Sequence, residues 1–149
     1  MEVHEKLHKE IDLIQSCINR MANNSFMCKG WVISIIAAIF ILFPENISRN
    51  TIYMVIILAT ICFWCLDAYY LMLERLYRWK YEWVIKHRVE YEYNMEYLYD
   101  LNPYNKEMWG EHTCNKIYLY YIRLMIFNIS ITPMYAGIVG LALYMMFGR

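Results

Sequence analysis

Few side chains in this 149-residue sequence are grouped in a way that could do chemistry, and most of the groups lack a partner. His4 and His8 lie one helical turn apart with Glu5 beside them, but two imidazoles without a third ligand at fixed spacing make no zinc site. Cys62 and Cys65 form a C-x-x-C pair inside an apolar run, where a thiolate is costly. With Cys17, Cys28 and Cys114 the cysteines are odd in number and match no zinc spacing, so they read as small buried hydrophobes. His87 and His112 have no readable partner. Arg88 with Tyr91, Tyr93, Tyr97 and Tyr99 offers an aromatic pocket for a small ligand as a minor alternative. A Gly-rich phosphate loop, a nucleophile elbow and H-E-x-x-H are all missing from the sequence, so no catalytic residue, no metal and no cofactor is expected. The groups that remain are ionisable residues in or beside apolar runs: Lys29 and Asp67, then Arg20 and Glu74. A charge inside such a run is expensive and faces protein or water.

The elements that must position these charges follow from composition. Hydrophobic residues make up 60% of the chain and charged residues 19%, below the soluble average of about 25%. The formal net charge is zero, which gives no global attraction to phosphate and argues against direct nucleic-acid binding. The expected class is an all-α integral membrane protein with membrane lipid as its surroundings. Residues 51–73 are apolar apart from Thr51, Thr60 and Asp67, and at about 1.5 Å per residue they cross a hydrocarbon core of about 30 Å. Residues 26–43 form a preceding span interrupted by Lys29, whose stem can snorkel. The link 44–50, PENISRN, is so short that the two spans must form an antiparallel helical hairpin, with Pro44 ending the first helix. Counted from that turn, Lys29 lies about 21 Å and Asp67 about 24 Å down, and Arg20 and Glu74 about 35 Å each. Two charge pairs are therefore expected. They either clamp the hairpin or line a gate, with Asn23, Asn24 and Ser25 between the rungs, opposite Tyr69 and Tyr70.

A third span is expected over 129–147, kinked near Pro133, with Ala136 and Gly140 as a small-xxx-small pair for helix packing. The stretch IYLYYIRLMIF, 117–127, suits an interfacial approach better than a fourth span, because it is rich in Tyr and carries Arg123. With three spans, twelve of the fourteen cations fall on one side, which makes the N-terminus (1–25) and the segment 74–128 cytoplasmic and the hairpin loop external. Val3, Leu7, Ile11, Ile14, Ile18 and Met21 predict an amphipathic N-terminal helix with a nearly heptad seam. The partner of that seam is either the chain's own helix after Leu73 or a second copy. After Leu73 the helix continues with Leu76, Trp79, Trp83 and Val84 inward. Residues 89–99 alternate like a strand or extended segment, a pattern that an aromatic-rich helix can mimic, and 101–116 read as a loop with one helical turn.

The stretches RMANNSFMCKGW (Arg20 to Trp31), FWCLDAYYLMLERLYR (Phe63 to Arg78) and ISITPMY (Ile129 to Tyr135) resemble a widespread family of small bacterial membrane proteins. The resemblance covers 89–116 poorly. It implies a role as a membrane partner or effector in bacterial defence or signalling. It carries over Asn24, Ser25, Lys29, Trp31, Asp67, Tyr69, Tyr70, Glu74, Arg75 and Arg78 as motif positions. The function expected on this basis is a non-enzymatic, homo-oligomeric effector in the bacterial inner membrane, perturbing it by a pore or by depolarisation. Its cytoplasmic part would be cued by a nucleotide messenger or by a soluble signalling or defence protein. The alternative is a non-conducting anchor or adaptor for a soluble enzyme or sensor.

Overall fold

The computed structural model describes residues 2–42, 47–90, 97–110, 112 and 116–148. Two long helices, α1 (Glu2–Leu42) and α2 (Arg49–Glu90), are followed by a 3-10 turn (Lys106–Trp109), α3 (Ile117–Phe127) and α4 (Thr132–Phe147). At about 1.5 Å per residue, α1 and α2 are each about 60 Å long, roughly twice a hydrocarbon core. Both are long and apolar enough to cross a membrane, and they pair antiparallel as a hairpin. The expected span 26–43 is thus the second half of one unbroken helix that begins at Glu2, and the expected span 51–73 is the first half of another. Pro44 lies outside the described residues. At the start of α2 the Ser48 carbonyl accepts from the Thr51 and Ile52 amides at 3.0 and 3.3 Å.

The side of α1 that faces the rest of the chain reads Glu10, Ile14, Cys17, Met21, Ser25, Cys28, Val32 and Ile39, all buried, with Ile36 half-buried. The spacing 4-3-4-4-3-4-4-3 averages 11 residues per three turns, close to the natural winding of a straight helix, so the seam holds its face over the whole length. This corrects the heptad phase in part. Ile14 and Met21 are buried, whereas Leu7, Ile11 and Ile18 are only half-covered, because the seam turns far enough to bring Glu10 inward. The seam packs on the chain's own α2. On α2, Leu76, Trp83 and Val84 are buried as expected and Trp79 is half-buried.

Residues 117–147 depart from the expectation. The helix α3 does not lie flat outside the apolar zone but runs along α2. The Trp64 indole donates to the Met125 carbonyl at 3.0 Å, and the Tyr121 hydroxyl donates to the Cys65 carbonyl at 2.8 Å. The two helices α3 and α4 bend by 65° across Asn128–Ile131, and as a pair they are long and apolar enough for a broken span or a re-entrant loop. By itself α4, 16 residues or about 24 Å, falls short of a hydrocarbon core. Pro133 does not kink a helix. It occupies the first turn of α4, where a missing amide costs nothing. The break itself is closed by polar groups: the Thr132 hydroxyl reaches the Met125 and Ile126 carbonyls at 3.1 and 3.0 Å, and the Asn128 side chain accepts from the Ser130 amide at 2.8 Å.

The strand reading of 89–99 fails where it can be checked. Val89 and Glu90 end α2, residues 97–99 form a turn, and 91–96 lie outside the described residues. Tyr97 and Tyr99 adopt φ of 58° and 59°, which a strand excludes. The loop 97–110 is a cap folded back on α2. Tyr77 donates to the Leu101 carbonyl at 3.1 Å, the buried Lys80 ammonium donates to the Asp100 and Asn102 carbonyls, and the Trp109 indole donates to the Pro103 carbonyl. The single helical turn expected in 101–116 is the 3-10 turn, whose Asn105 side chain accepts from the Glu107 amide at 3.2 Å.

Candidate charged lock and head clasp

The apolar halves of α1 and α2 enclose one ion pair. Asp67 has no exposed surface; its Oδ2 lies 2.6 Å from the Lys29 Nζ, and its Oδ1 accepts from the buried Ser25 hydroxyl. Lys29 also donates to the Ser25 Oγ at 3.2 Å and to its carbonyl at 3.4 Å, and its side chain remains 21% exposed. Ser25 and Lys29 are one turn apart on α1, so both reach the same carboxylate of α2. The equal-depth expectation for Lys29 and Asp67 thus holds in the geometry. Ser25, which sequence reasoning placed only between rungs, is the third member.

The fourth member comes from the broken span. Tyr135, in the first turn of α4, is fully buried with Val32, Ala68 and Ile131, and its ring stacks on Trp64 at 6.0 Å. Its hydroxyl lies beside the Asp67 carboxylate, close enough to interact with it though outside ordinary hydrogen-bonding geometry. Sequence reasoning missed Tyr135. It is the first aromatic residue after Pro133, and that position follows from the Pro only once the Pro is read as a helix start.

The second expected rung is not built. Among the described residues Arg20 is exposed with a hydrogen bond to the Cys17 Sγ at 3.7 Å, while Glu74, its side chain 12% exposed, accepts from Arg78, one turn along α2, at 2.6 Å. Equal depth was insufficient because Arg78 on its own helix takes the Glu74 carboxylate and Arg20 stays exposed, while the buried members at this height are Met21, Cys17, Met72 and Leu73. The second buried pair lies at the far end. Glu10 and Arg88, each 2% exposed, bond through the Arg88 Nε and NH2 at 3.1 Å each. The Tyr99 amide adds a contact to Glu10 at 3.3 Å, and Arg88 lies over the Trp83 ring at 5.8 Å. Beside it, burial lowers Lys80 from its usual range. Burial alone would raise Asp100, but the Asn105 amide, the Asn102 N–H and the Lys80 ammonium more than offset it and hold the carboxyl low.

The other motif positions are peripheral. Trp31, Tyr69, Arg75 and Arg78 are exposed, while Asn24 and Tyr70 are half-buried. Tyr69 meets Tyr104 of the cap, and burial together with the Tyr69 hydroxyl pushes Tyr104 up to about 12. Ala136 and Gly140 face away from the chain. A Cβ at Gly140 would meet nothing within 4 Å, so the packing expected of them would need a partner outside this chain. His4 and His8 are exposed, Cys17 and Cys28 are buried, Cys62 is exposed and Cys65 half-buried; Cys114 lies outside the described residues. Of the tyrosine set around Arg88, Tyr91 and Tyr93 lie outside the described residues, and Tyr97 packs edge-on to Trp83. The aromatic cleft is instead built by Trp79, Trp83, Trp109, His87 and His112 and encloses about 550 Å³.

In comparisons with protein-family models, curated proteins and solved structures, nothing matches this chain.

Proposed function

We propose that this chain is a membrane-inserted effector subunit whose Lys29–Asp67 lock is opened through its head, allowing ions across the bilayer. The chemistry needs no catalytic group. The observation that carries this reading is the position of the lock: a fully buried carboxylate in the apolar zone, with a broken helix laid against it and the Tyr135 hydroxyl of that helix beside the carboxylate. Charged groups at such depth are costly, and broken spans beside them are the usual means of building ion pathways. A chain that served only to tether would be more stable with an apolar pair here. Both α1 and α2 run unbroken from the lock to the Glu10–Arg88 clasp, so a displacement of the head is transmitted without a hinge.

This reading places the protein in a cell membrane as a homo-oligomer, since three spans per chain are too few to enclose a water-filled path. The outward Ala136 and Gly140 face supplies a surface for assembly. The motif resemblance adds a bacterial defence or signalling setting, with a nucleotide messenger or soluble protein as the cue. The test bypasses the cue. Purified protein is placed in potassium-loaded liposomes and the potential is read with a voltage-sensitive dye. Asp67→Ala, which unlocks the pair, is expected to collapse the potential faster than wild type. Equal, negligible leak from both proteins, with helix content intact, removes the conducting reading. The non-conducting anchor reading rests on the stiff, closed stalk between lock and clasp, and it would then stand.

A further inference from the structure

We infer that the outer face of α2 beyond the apolar zone holds the headgroup of one zwitterionic phospholipid carrying a primary ammonium. Leu71, Arg75, Arg78, Glu82 and Lys86 follow at 4-3-4-4 spacing and form one stripe of the helix. Two connected clefts of about 420 and 550 Å³ lie along this stripe and share Trp79, Glu82 and His112. Their chemistry changes in order: apolar at Leu71, cationic at Arg75 and Arg78, then acidic and aromatic at Glu82, Glu107, Trp79 and Trp83, with Lys86 at the far end. That order matches acyl chain, phosphate and ammonium. The depth agrees too. From Thr51, Leu71 lies about 30 Å along α2, the thickness of a hydrocarbon core, and Arg75 to Glu82 fall about 36 to 47 Å along, where lipid headgroups are found.

Charge complementarity selects the lipid. Arg75 is exposed and has no hydrogen bond or ion pair among the described residues, so its guanidinium is available for a bidentate phosphate contact. The second cation, Arg78, is held one turn away by Glu74. Glu82 is 64% exposed and touches only His112, at 3.1 Å, which leaves carboxylate capacity toward the cleft. A primary ammonium can donate hydrogen bonds to Glu82 and Glu107; a trimethylammonium cannot. The ring faces are already in use, His112 stacking on Trp79 at 4.8 Å and His87 on Trp83 at 4.2 Å, which disfavours a quaternary-ammonium cage. Phosphatidylglycerol brings the same phosphate but a neutral glycerol in place of the ammonium, so it forgoes the charge-assisted contact to the two carboxylates.

This inference rests on the membrane insertion in the proposed function but not on ion flux. The test is native mass spectrometry of the full chain released from mixed micelles containing equal amounts of palmitoyl-oleoyl phosphatidylethanolamine, phosphatidylcholine and phosphatidylglycerol. One phosphatidylethanolamine per chain is expected to be retained about tenfold over either competitor. Glu82→Gln, and separately Glu107→Gln, should erase the preference over phosphatidylglycerol, while R75Q/R78Q should weaken all three lipids. Equal retention of the three by wild type overturns the proposal. So does a preference that survives both carboxylate variants at unchanged helix content. A chain that stays dissolved without detergent would overturn insertion first, an outcome read before any lipid is added.

Discussion

Asp67→Leu, Lys29→Met and the combined K29M/D67L variant make a thermodynamic cycle in which each single change should be worse than the pair of changes. Asp67 accepts from Lys29 at 2.6 Å and from Ser25, and it has no exposed surface. Removing Lys29 leaves this carboxylate with a single hydroxyl donor in an apolar zone, and breaking a buried pair from one side costs about 3–5 kcal/mol. Removing Asp67 should cost less, about 2–3 kcal/mol, because the Lys29 side chain is 21% exposed and its ammonium can swing toward the polar end of the helix. With both changes, methionine and leucine fill the same space without a desolvated charge, so the double variant should lie within about 1 kcal/mol of wild type. The interaction energy of the cycle should therefore exceed about 2 kcal/mol. Unfolding of the detergent-purified chain, followed by far-UV circular dichroism, measures all four corners. Single variants that add to within about 0.5 kcal/mol of the double would refute a coupled lock, as would an Asp67→Leu variant no less stable than wild type. If the double variant is stable and the liposomes holding it leak, the charges close a gate. If it is stable and silent, they only clamp.

The other predictions concern groups elsewhere in the chain. Tyr135→Phe removes a buried hydroxyl beside Asp67 but outside hydrogen-bonding geometry, so it should change stability in thermal unfolding by no more than about 1 kcal/mol; a larger loss would mean that the hydroxyl is bonded. Glu10→Gln removes the charged half of the buried contact to Arg88, and hydrogen exchange should accelerate at the amides of 10–21 while those near Ser25 keep their protection. A Cβ at Gly140 meets no atom within 4 Å among the described residues, so Gly140→Ile should leave the monomer folded while the proposed homo-oligomer dissociates in native mass measurement. The cap 97–110 should loosen in acid. Asp100 is held below its ordinary 3.8, so the stability it contributes is present above that value and lost as pH falls through its lowered folded value. Lys80 acts with the opposite charge but the same slope: being lowered from 10.5, it makes stability rise with pH just below that value. Tryptophan emission from Trp79, Trp83 and Trp109 across the acid range reads the first of these.

What could be read from the sequence is what depends on helix rise and hydrophobic length. Two apolar runs and a short link dictate a hairpin, and equal residue counts from its turn put Lys29 opposite Asp67. Depth alone does not give a partner, and this is why Arg20 and Glu74 failed: at the same height Arg78, one turn along α2, takes the Glu74 carboxylate and Arg20 stays exposed. Glu10 was hidden for a related reason, since a charged residue was counted as solvent-facing and moved the seam to Ile11 and Ile18. The alternation in 89–99 misled because tyrosine and glutamate fit a strand pattern, whereas Tyr97 and Tyr99 take left-handed backbone conformations in a turn that delivers an amide to Glu10. Pro133 was read as a kink because the apolar run is continuous through it. The break is set by Asn128 and Thr132: the Thr132 hydroxyl takes late carbonyls of α3, and the Asn128 side chain holds the intervening turn through the Ser130 amide.

The two buried ion pairs also set how the hairpin can move. Lock and clasp are 19 residues apart on α1 and 21 on α2, about 29 and 32 Å, so each helix is pinned to the other at both ends of a stiff segment. Sliding one helix by a turn would carry Glu10 from Arg88 and Lys29 from Asp67 in the same step, since nothing between them bends. Intermediate registers part both ion pairs at once and are costly, so the hairpin favours discrete arrangements over gradual displacement. Within such a device a cue at the head acts by offering Glu10 or Arg88 a better partner. It shifts the lock only by the difference in its affinity for the two registers. A ligand that bound the head equally well in both would leave Lys29 on Asp67 however tightly it held.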